Sequence, residues 1–369
     1  MQNTGFIEKQ PLITDFQVGA ETGIVPEILF ANGQYDSYLP DEETQWKNLF
    51  DSLACVTFSA LNNIETIFNL KIAMEYFPAE KIQWLKDNGY IDPATSKVNF
   101  SDRFTAKLSG TTKNGNSLGI VGDSIRKIDG LVPESAWPWP KEMTDAMTYE
   151  EKWNLYYSEI PDSVKAIGKK FLEQFEIQYE WVAIGTFTTT PADQLKEALK
   201  HGPVQIAAPI CPPWGSNEGG PDIKACGLTA PSHATTIYGY EDGKDWKDFD
   251  HYKSFRKKLD WNYCIPYAFR YSATAKVPPS IPAQIVHTFS VNLKMGSRGT
   301  EVEYLQKALK QLGYFTLGYT TQYYGDYTRK AVFAFQLAEK VDTPEELAKL
   351  NGEYFGPRSR ATMNALLKK

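Results

Sequence analysis

A helical pattern of apolar and polar positions runs through residues 51–77 of this chain. Apolar side chains recur there at every third or fourth position: Phe58, Leu61, Ile64, Phe68 and Ile72. This spacing predicts one long buried helix. Asp51 and Ser52 belong to the residue types that commonly cap a helix, so we expect one of them to begin it. Cys55 then falls in the first helical turn.

Strand patterns dominate the part of the chain that follows. A helical pattern that starts near residue 188 ends at Gly202, and the next run, Val204–Ala208, predicts a strand. Two more strands are predicted, Thr235–Tyr240 and Tyr263–Tyr271. A helix-rich half followed by a strand-rich half indicates the α+β class.

A proline-rich stretch separates this body from the tail. Residues 276–290 contain three prolines within five positions, which disfavours a helix and suits an extended linker. Beyond it, residues 291–369 predict three short amphipathic helices, each entered through a glycine: Gly299, Gly325 and Gly356. The tail is therefore expected to be a small three-helix domain.

Length and charge support this division. A chain of 369 residues is long enough for two domains, and we expect an N-terminal extension (1–34), a main domain (35–275), a linker (276–290) and a tail domain (291–369). With 42% hydrophobic and 23% charged residues, the composition excludes a largely disordered chain.

The charge balance differs along the chain. Residues 1–290 carry 27 basic against 37 acidic side chains, and the tail carries 12 against 8. The net charge of −6 argues against nucleic acid as a partner. No apolar run is long enough to predict membrane insertion. The first residues lack the basic head and apolar core of a secretory signal, so we expect synthesis in the cytoplasm and release by lysis, by a non-classical route or in a particle.

Four cysteines and four histidines limit the possible chemistry. No Cys-x-x-Cys pair or nucleotide fingerprint occurs, so we predict neither a metal nor a cofactor. Cys55 lies where a helix N-terminus would lower a thiol pKa and make a nucleophile, although a buried inert cysteine has the same pattern. His233, at the entry to a strand, is the candidate general base, although a lone histidine is often structural.

The tail carries a specific resemblance. It is similar to the peptidoglycan-binding domain that is appended to cell-wall enzymes, which implies a groove for a wall glycopeptide. The resemblance rests on these positions: Leu293, Gly296, Gly299, Val302, Leu305, Gln306, Leu309, Gly313, Tyr324, Gly325, Thr328, Ala331, Val332, Phe335, Gln336, Gly356 and Pro357. The stretch 341–354 is longer than the usual connection before the last helix.

The main domain resembles the papain-like cysteine peptidases. Ala54–Ala60 looks like the nucleophile helix of that family, and Ser232–Ala234 looks like the start of its histidine strand. The resemblance implies a two-lobed fold, with a helical lobe and a β-rich lobe, and assigns Cys55 as nucleophile and His233 as base. Substrate-binding positions are implied at Asn114, Gly115, Asn116, Pro203, Val204 and Ala234.

The sequence departs from that family at several places. Asp250 stands where the family has the asparagine that orients the histidine, and it can take that role. Gln45 is the candidate oxyanion donor, although it lies ten residues before the cysteine. Val56 replaces an aromatic residue, and no room remains for a long inhibitory pro-segment. Whether Cys211 and Cys226 pair is left open.

Together these resemblances imply a cysteine endopeptidase with a Cys-His-Asp triad. Its expected partner is bacterial peptidoglycan, and its expected role is that of a phage endolysin or a virion-associated lysin. Two alternatives remain: a wall-tethered protease that cuts proteins, and a catalytically silent binding or structural component. A serine hydrolase built on Gly115–Gly119 lacks the strand that such a motif needs. The adjacent acids Glu42 and Glu43 are a weak case for a muramidase.

Overall fold

The computed structural model describes residues 5–8, 28–185, 191–212, 214, 222–276, 287–315, 320 and 322–367. The chain divides into two compact units, residues 1–276 and 277–369. The first unit combines helices with one large sheet, so the α+β prediction is confirmed. Most of the predicted linker lies outside the described residues.

The first unit begins with a short hairpin, β1 (Trp46–Lys47) and β2 (Phe50–Asp51), followed by the long helix α1 (Cys55–Ala73). The predicted cap is wrong: Ala54 is the N-cap and makes no side-chain capping bond. Asp51 accepts the Leu53 N–H instead. Every residue of α1 from Cys55 to Lys71 is buried, as the apolar spacing predicts.

Six further α-helices follow among the described residues of this unit. All six lie between the candidate nucleophile and the candidate base in the sequence. Their bounds are α2 (Ala79–Asp87), α3 (Asp102–Leu108), α4 (Leu118–Asp123), α5 (Tyr149–Tyr156), α6 (Asp162–Gln174) and α7 (Ala192–Leu199).

A seven-stranded sheet packs against α1. Its strands lie in the order β3-β9-β4-β6-β7-β8-β5, with only the β5–β8 pair parallel. The strand predicted at 263–271 begins four residues later than expected. The bounds are β3 (Phe175–Ile184), β4 (Val204–Ala208), β5 (Asp222–Ile223), β6 (His233–Glu241), β7 (Asp245–Phe249), β8 (Arg256–Asp260) and β9 (Tyr267–Ala275).

The register of the central strands positions the site. β6 and β7 are antiparallel neighbours, with Thr236 opposite Phe249. Because β6 starts at His233 and β7 ends just before Asp250, these two residues meet at the same edge of the sheet. Helix α1 is fixed to β6 by the Asn63 amide, which donates to the Thr236 hydroxyl at 2.8 Å.

The second unit has its own apolar core. The three predicted helices are present, and a fourth, α10, lies within the long stretch before the last one. The elements are β10 (Leu293–Lys294), α8 (Thr300–Gln311), α9 (Asp326–Ala338), α10 (Pro344–Leu350), β11 (Tyr354–Phe355) and α11 (Pro357–Leu366). None of the helices within the described residues is long and apolar enough to span a membrane.

Candidate active site

Cys55, His233 and Asp250 come together at the edge of the sheet, and all three are buried. His233 Nε2 lies 2.8 Å from Asp250 Oδ1. The backbone N–H of Ala234 forms a hydrogen bond with the Cys55 thiol. Because Ala234 directly follows His233, the Cys55 thiol at the start of α1 lies beside the first residues of β6. The structure thus assembles the three predicted catalytic groups and Ala234.

The thiol is held in its neutral form in this structure. Burial raises the pKa of Cys55, and the nearby carboxylates of Asp51 and Asp250 raise it further. The Ala234 and Val56 N–H groups lower it, but by less. The expectation of a lowered thiol pKa is therefore wrong for this state, because desolvation outweighs the helix N-terminus.

Asp250 is an ionised carboxylate with four donors. Oδ1 accepts from His233 and from the His251 N–H at 2.7 Å, and Oδ2 accepts from Trp214 Nε1 at 2.8 Å and Lys257 Nζ at 2.9 Å. Burial alone would raise the pKa of Asp250, but His233, Lys257 and His251 hold it below its ordinary value. The contact with Asp250 through Nε2 fixes the orientation of the His233 ring.

Two aromatic side chains enclose the His233 ring. Tyr252 stacks on it at 5.2 Å between centroids, and Trp214 meets it edge-on at 5.6 Å. Trp214 lies in a segment closed by a disulfide between Cys211 and Cys226, which answers the question that the sequence left open. These rings exclude water from the His233–Asp250 hydrogen bond.

Gln45 is engaged in a second buried network. Its Nε2 donates to Asp51 Oδ1 at 2.6 Å and to the Tyr252 hydroxyl at 2.7 Å, and that hydroxyl donates to Asp51 Oδ2 at 2.6 Å. An amide has two N–H donors, and both are used here. The predicted oxyanion role of Gln45 is therefore not realised in this arrangement, because one of these bonds must open first. Burial raises the pKa of Asp51.

The chain's own N-terminal segment covers the predicted substrate-binding backbone. The Asn116 N–H donates to Gly5 O at 2.8 Å, and the Ile7 N–H donates to Asn116 O at 2.7 Å. Neither glycine has room for a side chain, because a Cβ at Gly115, at φ +94°, would lie 1.8 Å from Gly5 O and a Cβ at Gly5 would lie 2.0 Å from Leu53 O. The side chain of Asn114 is exposed in the same turn.

Pro203 and Val204 are not part of this group. Val204 pairs with Ile237, four residues along β6 from His233, which is about 13 Å at the rise of a strand. Its side chain is fully buried in the core. The residues of β4 that pair with Ala234 and His233 are Ala207 and Ala208.

The sequence analysis missed Asp51, Trp214, Tyr252 and Lys257. Tyr252 could have been found, because it stands two residues after Asp250, where the family's Asn-Ser-Trp run has its tryptophan. Asp51 lies four residues before the nucleophile but was considered only as a helix cap. Trp214 and Lys257 carry no local signal, because pairing of distant strands brings them to Asp250.

His251 is a further buried side chain of the site. It packs between Phe58 and His233, and its two ring nitrogens have no hydrogen-bond partner among the described residues. Burial lowers its pKa to about 3, so it is neutral. With His233 and Asp250 it forms a possible ligand set for a transition metal. Lys257, already 2.9 Å from Asp250, makes this an unfavourable place for another cation.

One known protein family matches part of the second unit. The family model described as "Putative peptidoglycan binding domain" matches residues 298–342, within the predicted tail domain. This match confirms the resemblance drawn from the glycines and apolar positions of the tail. No curated protein sequence matches the chain.

Solved structures that resemble the chain are cysteine proteases. Digestive procathepsin L 3 of Tenebrio molitor is 12% identical, with a TM-score of 0.45 over 73% of this chain and 76% of that one. Xylellain, a cysteine protease from Xylella fastidiosa, is 15% identical, with a TM-score of 0.46 over 74% and 96%. The protease and lectin-like domains of Cwp84 from Clostridium difficile are 12% identical, with a TM-score of 0.44 over 65% and 51%. These names agree with the family that the sequence resembles. These TM-scores are too low to assign the site residues by comparison. The candidate site is therefore assigned from the contacts within this chain.

Proposed function

We propose that this protein is a cysteine endopeptidase that acts on the bacterial cell wall. The observation that carries the proposal is the buried group of Cys55, His233 and Asp250, in which the carboxylate fixes the imidazole beside the thiol. A thiol beside the backbone N–H that follows His233, and an imidazole hydrogen-bonded to a carboxylate, supply the nucleophile, base and orienting group that covalent amide hydrolysis uses.

The chemistry follows from these positions. His233 takes the thiol proton, and Cys55 Sγ attacks the carbonyl carbon of an amide. His233 then gives that proton to the leaving amine, and an acyl-enzyme remains until water, activated by His233, releases it. The Cys55 N–H at the start of α1 is one donor to the oxyanion, and Gln45 can supply a second after it leaves Asp51.

The tail indicates where the enzyme acts. A peptidoglycan-binding module on the same chain raises the local concentration of the catalytic unit at the wall. We therefore propose peptides of peptidoglycan as the substrate, in the role of an endolysin or a virion-associated lysin. Access to the wall would then follow lysis, non-classical export or delivery in a particle.

The test is the release of free amines from purified peptidoglycan under reducing conditions, with denatured casein as a parallel substrate. Cys55→Ala should abolish release, whereas Cys264→Ala, which removes the other buried cysteine outside the disulfide, should retain it. Cleavage of casein alone would replace this proposal with a wall-tethered protease. If neither substrate is hydrolysed while binding to the wall is intact, the peptidase proposal is refuted and a binding or structural component is favoured.

A further inference from the structure

In the sequence, the β1–β2 hairpin lies between Gln45 and Cys55. Trp46 pairs with Asp51 and Lys47 with Phe50, so Asn48 and Leu49 form a two-residue turn. Both turn residues have positive φ, +54° and +52°. Such a turn is best made by Asn-Gly, because glycine adopts this conformation without strain. Leucine here occupies the position that favours glycine.

Besides its positive φ, Leu49 has a second feature that does not favour folding, which is an exposed apolar side chain. Its side chain is 67% exposed, and it belongs to none of the apolar clusters of the described residues. A strained backbone that displays an apolar side chain to solvent is poorly explained by stability, and such positions concentrate at functional sites.

The two faces of the hairpin have different surroundings. Phe50 packs on Trp139, with ring centroids 6.1 Å apart, and Lys47 Nζ lies over the same indole at 5.8 Å. Since side chains alternate along a strand, Trp46 and Asp51 lie on the opposite face. Cross-strand partners have Cβ atoms about 5 Å apart, so the indole of Trp46, which is 38% exposed, lies beside Asp51.

That opposite face belongs to the active site. Asp51 accepts the Tyr252 hydroxyl, and Tyr252 stacks on His233. The hairpin therefore lies on the histidine side of the nucleophile. His233 gives its proton to the leaving amine of the substrate. The substrate residue that carries this amine therefore lies on the same side of Cys55 as His233 and the hairpin. Leu49 is two residues from Asp51, about 7 Å at the rise of a strand.

We propose that Trp46 and Leu49 form an apolar subsite for the first residue on the leaving side of the scissile bond. The subsite takes an aliphatic or aromatic side chain, which packs between the indole and the leucine. This inference rests on the proposed peptidase function and adds a specificity to it.

The experiment has two stages. Products of the full-length protein on denatured casein and on purified peptidoglycan are identified by mass spectrometry, which locates the bond that is cut. Two peptides spanning that bond are then made, identical except for Leu or Ala as the residue that becomes the new N-terminus. We expect kcat/KM to be about tenfold higher for the Leu peptide, as for removal of methylene groups from an apolar pocket.

Variants separate the subsite from the turn. Leu49→Gly and Trp46→Ala should reduce this preference to less than about threefold, the range of a lost apolar contact. Asn48→Gly changes the same turn without touching either side chain and should keep the full preference. Leu49→Gly should not lower the melting temperature, because glycine relieves the strained φ.

The outcomes are distinct. No products from the wild-type protein on either substrate would refute the proposed function itself. Products with no preference for Leu, or with a preference that persists in Leu49→Gly and Trp46→Ala, would leave the peptidase in place and overturn only the subsite.

Discussion

Asp250 shows how one buried side chain determines both chemistry and stability. It neutralises Lys257 and orients His233, and its charge lies in an environment that burial would otherwise make unfavourable. The family's usual asparagine could orient the ring, but it could not balance the lysine. The ion pair with Lys257 therefore explains why an aspartate suits this position in this chain.

Substitution of Asp250 should separate these two roles. Asp250→Asn keeps an acceptor for His233, so we expect it to retain more activity than Asp250→Ala, which keeps none. Both variants leave Lys257 as an uncompensated buried charge, so we expect each to cost about 3–5 kcal/mol in the free energy of unfolding. Hydrolysis rates and urea denaturation measure both effects. Asp248→Asn, at the neighbouring buried carboxyl, is the matched control. Equal loss of activity in Asp250→Asn and Asp250→Ala would contradict this division.

A group of acids away from the nucleophile predicts a pH dependence of stability. Glu134 lines a cavity of about 300 Å³ with Glu43 and Asp102. Burial and the charge of Glu43 raise its pKa from 4.5 to about 8. A carboxyl with a raised pKa stabilises the fold fully below its unfolded pKa, and that stability is lost as the pH rises towards 8.

Glu134→Gln should remove part of this dependence. We expect the wild-type protein to lose more stability than the variant between pH 5 and pH 8.5, by roughly 1–3 kcal/mol. Urea midpoints at the two pH values measure the difference. Glu142→Gln, at an exposed acid, should follow the wild type. A parallel loss in Glu134→Gln and wild type would show that Glu134 does not titrate in this range.

At the scale of elements, the N-terminal segment is the least expected part of the site. Residues in the segment 5–8 pair with the backbone of Asn116, which the sequence analysis predicted to bind substrate. Phe6 forms a parallel bridge with Asn116, and Gly5 fits against the Leu53 carbonyl at a place where a Cβ would lie 2.0 Å from that oxygen.

Loosening this segment should activate the enzyme. Gly5→Ala places a methyl group against the Leu53 carbonyl, so the segment should detach, and kcat/KM for a peptide should rise about tenfold, the effect of about 1.4 kcal/mol of competing contact. Peptide hydrolysis measures this rise. Ile7→Ala keeps the backbone bonds and should change little. Unchanged or reduced activity in Gly5→Ala would mean that the segment supports the site instead of blocking it.

The elements that the sequence did predict agree with the structure except at some of their ends. The apolar spacing correctly predicted α1 and the strand Val204–Ala208, because burial on one face leaves a periodic pattern. The cap at Asp51 was wrong because the Gln45 and Tyr252 side chains compete for that carboxylate. The strand expected from Tyr263 begins at Tyr267, where pairing with Ala207 and Ile184 starts.

At the scale of the whole molecule, the candidate catalytic residues and the peptidoglycan-binding match lie in different units. The candidate catalytic groups all lie in residues 1–276, and the match to the peptidoglycan-binding family lies in residues 298–342. The charge difference along the sequence follows the same division.

Removal of the second unit should therefore affect the wall and spare small substrates. A chain that ends at Lys276 should hydrolyse a soluble peptide at the full-length rate but release amines from purified walls at least about tenfold more slowly, because it loses the gain in effective concentration. Both rates are measured at protein concentrations below saturation of the wall. Equal rates on walls would show that the tail does not target this enzyme.

The sequence by itself determined the class of the fold and predicted Cys55, His233 and Asp250 as the candidate catalytic residues. Periodic burial and short motifs are local properties, so the linear order of residues preserves them. The tertiary structure decided what surrounds those groups. Trp214, Tyr252 and Lys257 reach Asp250 and His233 through strand pairing and loop closure, and Gly5 reaches Asn116 from more than 100 positions away. The same contacts bury Cys55, so desolvation sets its pKa and overrides the expectation drawn from its place at a helix N-terminus.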